Sequence, residues 1–348
     1  MTTLPPTLFA TDAQRADHIR KLVTQAGVEL RERHPILKHQ DAIGAAILVF
    51  ALAGMLACAA LYAQSAIPAW LCIPLVAVFA SLTHELEHDL IHWMYFRRKP
   101  WAHHLMMALV WLARPSTINP WARRELHFNH HKFSGTERDI EERAITNGER
   151  WGLRRLLMTG DNVLSVVLRL GRAPKGKRGL LLRRAAAGYF PLGWLNWSLW
   201  YAFLAFHAAN GIAQLTHQPI AWSAATLSTM HIIDFLVVVL IAPNVLRTFC
   251  LHFVSSNMHY YGDVEPGNVI QQTQVLNTPW MLPFHLFCFN FGSTHGIHHF
   301  VVREPFYIRQ MTAGVAHRVM REMGVRFNDR GTFGRANRWK AAAATAAV

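Results

Sequence analysis

Four stretches of this sequence, roughly residues 42–63, 67–83, 188–209 and 227–246, have the length and apolar character of bilayer crossings, for which ~20 residues suffice. Segments of this kind cross as helices, because their backbone groups must find partners within the segment. The second stretch is short and carries Pro68 and Pro74, so its helix is expected to continue beyond the lipid. Gln64, Ser65 and Ala66 join the first pair, and residues 210–226 join the second. The spans therefore read as two hairpins. Residues 1–41 are polar with brief apolar runs, which is not the pattern of a signal peptide.

Charge sets the orientation. The formal net charge is +14 although 52% of the residues are hydrophobic. Residues 1–41 hold six Lys and Arg, residues 93–187 nineteen and residues 247–348 ten, while the two hairpin connections hold none. By the positive-inside rule both termini and the long middle segment are cytosolic. This asymmetry accounts for the basic excess that would otherwise suggest a nucleic-acid partner, and no nucleic-acid-binding fold is apparent. Within the middle segment, residues 151–184 alternate leucine and valine with arginine. They read as an interfacial stretch against anionic headgroups of the lipid bilayer, with a soluble cytosolic helix as the alternative.

The expectation is an all-α integral membrane protein with four transmembrane helices in two hairpins and a cytosolic helical cap. Residues 1–41 form a cytosolic N-terminal segment, 42–326 a single membrane domain, and 327–348 a disordered tail. Cys58, Cys72, Cys250 and Cys288 lie in or near apolar segments without a Cys-x-x-Cys pair and read as small buried hydrophobes in a reducing context.

The histidines carry the chemistry. There are 21, and most of the informative ones cluster. The first cluster is His84, His88 and His92, the second His127, His130 and His131, and the third His295, His298 and His299, with His259 standing alone before the third. On a helix, residues three and four apart share a face, so each cluster can present its imidazoles to one point. Neutral imidazoles suit iron, zinc, copper or nickel. One His-x-x-x-His is as readily structural as functional; three clusters in one chain are hard to ascribe to packing. Topology supplies a check, because the clusters follow span two, lie in the middle segment and follow span four. All three emerge on the same side. His207 and His231, inside apolar stretches, read as packing residues, and Asp234 in the last span is a functional suspect. A zinc protease is the rival reading, since His84, Glu85 and His88 satisfy His-Glu-x-x-His. It leaves most of the clustered histidines without a task. A metal-transport protein would place ligands along a path through the spans.

In order of motifs and spans, residues 42–307 resemble the membrane fatty-acid desaturase and hydroxylase superfamily. The resemblance implies a mushroom of four transmembrane helices under a cap that holds two irons, with O2 as co-substrate. Carried over by motif, the ligands are His84, His88, His127, His130, His131, His259, His295, His298 and His299. His259 matches through His-Tyr-Tyr-Gly. Several members have asparagine four residues before that histidine, where this chain has Ser255. His92 is read as a side chain that touches a ligand rather than the metal. Glu85, Glu87, Asp89 and Asp263 are the carboxylates placed to accept the free N–H of the ligating imidazoles.

Residues 84–92, 127–135 and 294–307 look more narrowly like the bacterial desaturase-like 1-alkene synthases. That likeness implies oxidative decarboxylation of a free medium-chain fatty acid to a terminal alkene, in a bacterial inner membrane. The ligands alone leave acyl desaturation and fatty-acid or alkane hydroxylation open. Decarboxylation needs an anion beside the metals, and Arg123, Arg124, Lys132, Arg247 and Arg303 are candidates to hold it, Arg303 first among them. No flavin, haem or ferredoxin-type motif is present, so electrons must come from an external donor. A basic cap suits an acidic ferredoxin- or rubredoxin-like protein.

Overall fold

A computed structural model describes residues 11–172 and 175–340, and they fold almost entirely into helices. Helix α1 (Asp12–Arg33) starts with a capping box, in which the Thr11 hydroxyl accepts from the Gln14 N–H and the Gln14 side chain accepts from the Thr11 N–H. Its buried stripe of Ile19, Val23, Gly27 and Leu30 recurs at three- and four-residue spacing. Ile19 and Val23 share one core with Phe300, Ala316, Val319 and Met320 near the C-terminus. The segment 1–41 is thus, from residue 12, part of the folded body rather than an extension of it.

Helices α2 (Gln40–Ala63) and α3 (Ala69–Ile91) form the first hairpin. Half of the most apolar stretch of α3 is buried, against 28% for α2, so α3 is the inner member. Val49, Phe50 and Leu56 of α2 and Trp70 of α3 remain exposed, as suits a lipid-facing side. Every residue from Thr83 to Ile91 is buried. The helix therefore runs on from the apolar span into protein, carrying the first histidine cluster with it.

The middle segment folds into α4 (Pro100–Leu112), α5 (Pro120–Phe133), α6 (Ile140–Ala144), α7 (Leu153–Gly160), α8 (Asn162–Leu170) and α9 (Lys175–Tyr189). Leu153, Leu156, Leu157, Val167, Leu180 and Leu182 stand exposed along the last three, the arrangement expected of a stretch that lies in an interface. Helix α10 (Leu192–Leu215) follows.

Next comes α11 (Ala224–Leu236), a π turn (Val237–Ile241) and α12 (Ala242–Met258), together a continuous 35-residue helix. Pro243 has no N–H, and its ring crowds the carbonyl four residues back. The wider π turn directly before it absorbs that mismatch. Among the described residues three helices, Gln40–Ala63, Ala69–Ile91 and Ala224–Met258, are long and apolar enough to cross a membrane. At the fourth expected place α10 has the length, but Asn196, His207, Asn210 and Gln214 interrupt its apolar character, and it falls outside that set.

The remainder comprises α13 (Val269–Gln272), α14 (Leu282–Phe287), α15 (Phe291–His298) and α16 (Phe306–Glu322). A short parallel pair, β1 (Gln274–Val275) with β2 (Arg326–Phe327), brings the C-terminal segment back to the centre. Residues 327–340 are folded, contrary to the expectation of a disordered tail. Asn337 is buried and accepts the Tyr261 N–H at 2.8 Å, and the Asp263 carboxylate accepts the Trp339 and Lys340 N–H groups at 2.7 and 2.8 Å. The alanine-rich end, 341–348, lies outside the described residues. All four cysteines are free and buried.

Candidate metal centre

Four elements deliver the histidines. The buried end of α3 carries His84 and His88, with His92 as its C-cap. Helix α5, capped by the Asn119 side chain, carries His127, His130 and His131. His259 is the C-cap of α12, held by an antiparallel bridge to Thr273 and by the Tyr260 N–H donated to Gln272 O at 3.0 Å. Helix α15 carries His295 and His298, with His299 as its C-cap.

These rings converge on two points. His88, His92, His127 and His298 form one quartet, and His130, His259, His295 and His299 form another; within each, one nitrogen per ring lies within 4.8 Å of all the others. The Nε2 atoms of His92 and His127 are 3.0 Å apart, and those of His259 and His299 are 3.3 Å apart. Two imidazoles at right angles on an ion ~2.1 Å away have nitrogens about 3 Å from each other. His131 lies against the first quartet, its Nε2 3.1 Å from that of His127 and 3.0 Å from that of His298. Both ring nitrogens of His88, and Nε2 of His130, are buried without a partner. Buried polar atoms are normally satisfied, so the donor set fits two metal ions held by histidine nitrogen.

The placement differs from expectation in three histidines, of which His131, read as a ligand, stands in neither quartet but against the first. His92, read as a neighbour of the ligands, stands in the first quartet. His84, read as a ligand, stands in neither; its Nδ1 is 3.5 Å from Arg114 Nη1 and its Nε2 is buried without a partner. The zinc-protease pattern, which needs His84 and His88 on one ion, does not form a donor group here.

The carboxylates behind the rings also differ. Glu87 is engaged by Arg114 and by Arg123, the latter at 2.6 Å. Asp89 accepts from Tyr95 Oη at 2.9 Å, from the Phe306 N–H at 2.9 Å and from Arg309 at 3.1 Å. Glu85 lies 3.7 Å from Arg309, and Asp263 binds the C-terminal segment. These acids lock α3 to its neighbours and the chain end to the cap. The acceptors facing the imidazoles come instead from the segment after α5. His127 Nδ1 meets Glu141 at 2.9 Å, His130 Nδ1 meets Asp139 at 2.8 Å, and His259 Nδ1 lies 2.9 Å from Ser255 O and 3.3 Å from Glu142. His299 Nδ1 lies 3.3 Å from the Gln272 side-chain oxygen. The signal was present in the acidic run Asp139, Glu141 and Glu142, where Asp139 lies nine residues past His130 and Glu141 fourteen past His127.

Burial lowers the His92 imidazole to about 2, with a nearby histidine and arginines adding to the effect, and the His259 imidazole to about 3, with nearby histidines adding to it. His127, His131, His295, His298 and His299 are lowered for the same first reason. They are neutral at neutral pH, the form that binds metal. Burial also pushes His130 down, but the Asp139 carboxylate outweighs it and raises that ring to about 9. Burial pushes Glu141 up, yet His127 and Arg123 overcome it and hold the carboxyl well below its ordinary range. An ionised carboxylate fixes the His127 and His130 rings with Nδ1–H outward and Nε2 toward the ion.

A cavity of about 880 Å³ opens onto the centre, lined at its inner end by His84, His88, His127, His130 and His295. Its walls are largely apolar farther out, with Ile118, Leu126, Ile140, Val166, Leu180 and Leu181. Arg303 does not line it and is exposed beyond α15. Arg114, Arg123, Arg169 and Arg247 do line it. Of these the sequence singled out Arg123 and Arg247 only, among several equals.

A model of the fatty acid desaturase family matches residues 64–331, a range that contains every histidine of both quartets. No curated protein sequence matches the chain.

Proposed function

This chain belongs to the fatty acid desaturase family, and from that premise we propose that it is a membrane di-iron oxidase converting a free medium-chain fatty acid into a terminal alkene and CO2. The observation that carries the oxidase reading is the pair of buried histidine quartets at the inner end of an apolar cavity. Two irons held there supply activation of O2 for attack on an unactivated C–H bond. The quartets supply neutral nitrogen ligands, so most of the charge of two divalent ions stays uncompensated and favours an anion nearby. Asp139, Glu141 and Glu142 keep the rings aimed. The apolar walls take the alkyl chain and exclude water, and the volume lies in the range of about 300–1,000 Å³ usual for small-molecule sites.

The balance requires a donor. Oxidative loss of CO2 removes two electrons from the acid, whereas reduction of O2 to two waters takes four, so two electrons and two protons enter for each turnover. We assign the donor to a ferredoxin- or rubredoxin-like protein drawn to the basic face of the cap. In this reading α10 is the fourth span, and both termini and the cap lie on the cytosolic side of a bacterial inner membrane.

The test is product analysis by mass spectrometry after reconstitution with lauric acid, reductant and O2. The expected product is 1-undecene, with CO2 derived from C1. Deuterium at C3 is expected to slow the reaction or change its partition. An internal alkene retaining all carbons identifies an acyl desaturase instead, and an oxygenated chain identifies a hydroxylase.

A further inference from the structure

One of the buried arginines around the inner end of the cavity has no carboxylate to answer it. Arg114 and Arg123 share Glu87, and Arg123 also reaches Glu141 at 3.2 Å. Arg309 has Asp89 and Glu85. Arg247 is 1% exposed and has no carboxylate within ion-pair distance among the described residues. Its Nε donates to Asn244 Oδ1 at 3.3 Å and its Nη2 to Thr248 Oγ1 at 2.9 Å, both on its own helix. Its Nη1 is buried with no partner at all.

The side chain is nevertheless held in place. Asn244 is fully buried and anchored by its own amide, which donates to Ala113 O at 3.1 Å and Leu240 O at 2.9 Å. The Asn244 oxygen is thereby turned toward the guanidinium. Along the same wall of α12, Thr248, Leu251, His252 and Ser255 also line the cavity, and His252 Nδ1 is another buried atom without a partner. A guanidinium removed from water and left without an anion costs several kcal/mol. Keeping one in a position that faces a chamber, braced by neutral acceptors, is the arrangement of a site completed by an anionic ligand.

We propose that Arg247 holds the carboxylate of the substrate, with Nη1 as the donor left free for it, so that C2 and C3 of the acid lie beside the histidine quartets. This rests on the cavity being the substrate chamber of the oxidase described above. It moves the carboxylate-binding role from the exposed Arg303 to a residue inside the chamber. An ester or thioester has no anion at that end and leaves Arg247 unanswered.

The test uses the full-length, iron-loaded protein in detergent without reductant, so that binding is read without turnover. Titration with laurate and with methyl laurate is expected to show at least a tenfold preference for the acid. Arg247→Met is expected to reduce that preference to twofold or less with iron content unchanged, while Arg303→Ala leaves it intact. Arg247→Lys keeps a charge but not the free N–H of a braced guanidinium, and is expected to weaken laurate at least threefold; it decides the matter should the methionine variant not accumulate. Equal affinity for acid and ester in the unaltered protein overturns the proposal, as does full preference in an iron-loaded Arg247→Met or Arg247→Lys protein. Product analysis separates this from the reading it rests on. An internal alkene formed with the Arg247-dependent preference intact removes decarboxylation and leaves the anion site. Formation of 1-undecene without the preference does the reverse.

Discussion

The two histidine quartets are built from the same residue type but by different means. The first, His88, His92, His127 and His298, takes two members from one helix end at four-residue spacing, with His88 and His92 ring centroids 5.3 Å apart. Among the described residues its one hydrogen-bonded carboxylate is Glu141 on His127, with Asp89 3.9 Å from His88 Nδ1, and His131 lies against the quartet. The second, His130, His259, His295 and His299, is buried throughout and has Asp139, Ser255 O, Glu142 and Gln272 behind three of its rings. One of its members, His259, sits where α12 ends, and the C-terminal segment pins the residues that follow. Each quartet takes one pair of rings from a single helix end at four-residue spacing, His295 and His299 in the second, and what sets the second apart is the long-range pinning of His259 and its fuller backing. The two ions should therefore differ in what loosens them.

The largest expected effect tests the membership of each quartet. His127→Ala and His299→Ala should each lower turnover more than about 100-fold, a loss beyond what removal of an outer hydrogen-bond partner causes. Metal analysis should find about two irons in the unaltered protein and fewer in each variant. His92→Ala should lose iron as they do, while His84→Ala retains two; the opposite pattern would restore His84 to the first quartet and remove His92.

Next in size are the carboxylates. Asp139→Asn and Glu141→Gln keep the shape and remove the charge, and each should weaken iron binding by about 10- to 100-fold. Chelator competition should show the Glu141 variant releasing the first iron and the Asp139 variant the second. Loss of the same iron from both would erase the distinction between the quartets.

Acid should act on both. The lowered imidazoles bind fewer protons folded than unfolded, so stability rises with pH where the unfolded rings still titrate. Their contribution is complete above the unperturbed value of ~6.5. It is lost as pH falls from there toward the folded values, about 2 for His92 and about 3 for His259. His130 has the opposite sign, its contribution fading as pH rises through about 9. Metal binding competes with protons in the same direction as burial. Iron retention, followed after equilibration with a chelator, should decline as pH falls below about 6, where the unfolded rings gain protons, and be lost by about 3; full retention below that value would count against histidine ligation.

The smallest effect concerns the tail. Asn337 binds Ser256 O through its amide and accepts the Gly148 N–H at 3.3 Å. Asn337→Ala should cost about 1–3 kcal/mol, read as a lower midpoint of thermal unfolding. Iron loss, if any, should come from the second quartet, through His259.

How much was legible divides along the same line. Three of the expected spans and the three clusters follow from hydropathy and from the 3.6-residue period, properties of short stretches of chain. Residues 84–92 are helical up to the His92 cap, and 127–131 and 295–298 are helical throughout, as their spacing requires. The assignments that failed concern pairing over distance. Glu87 and Asp89 adjoin the first cluster in sequence, but their hydrogen bonds go to arginines rather than to imidazoles, Arg114 and Arg123 for Glu87 and Arg309 for Asp89. Asp139 and Glu141 lie farther along the chain and fold back under the rings. The tail looked disordered because its composition is basic and alanine-rich toward the end, yet 327–340 are held by buried partners around Tyr260 and Asp263.

By itself, then, the sequence determined that this chain enters a bilayer with its histidine clusters on one side, because burial of apolar length and placement of charge act segment by segment. Only the tertiary structure decided which histidines share an ion, which acids orient them and which arginine faces the cavity unanswered. Those outcomes depend on how α3, α5, α12 and α15 cross. A crossing is set by packing among residues far apart in sequence, so no spacing within any one helix encodes it.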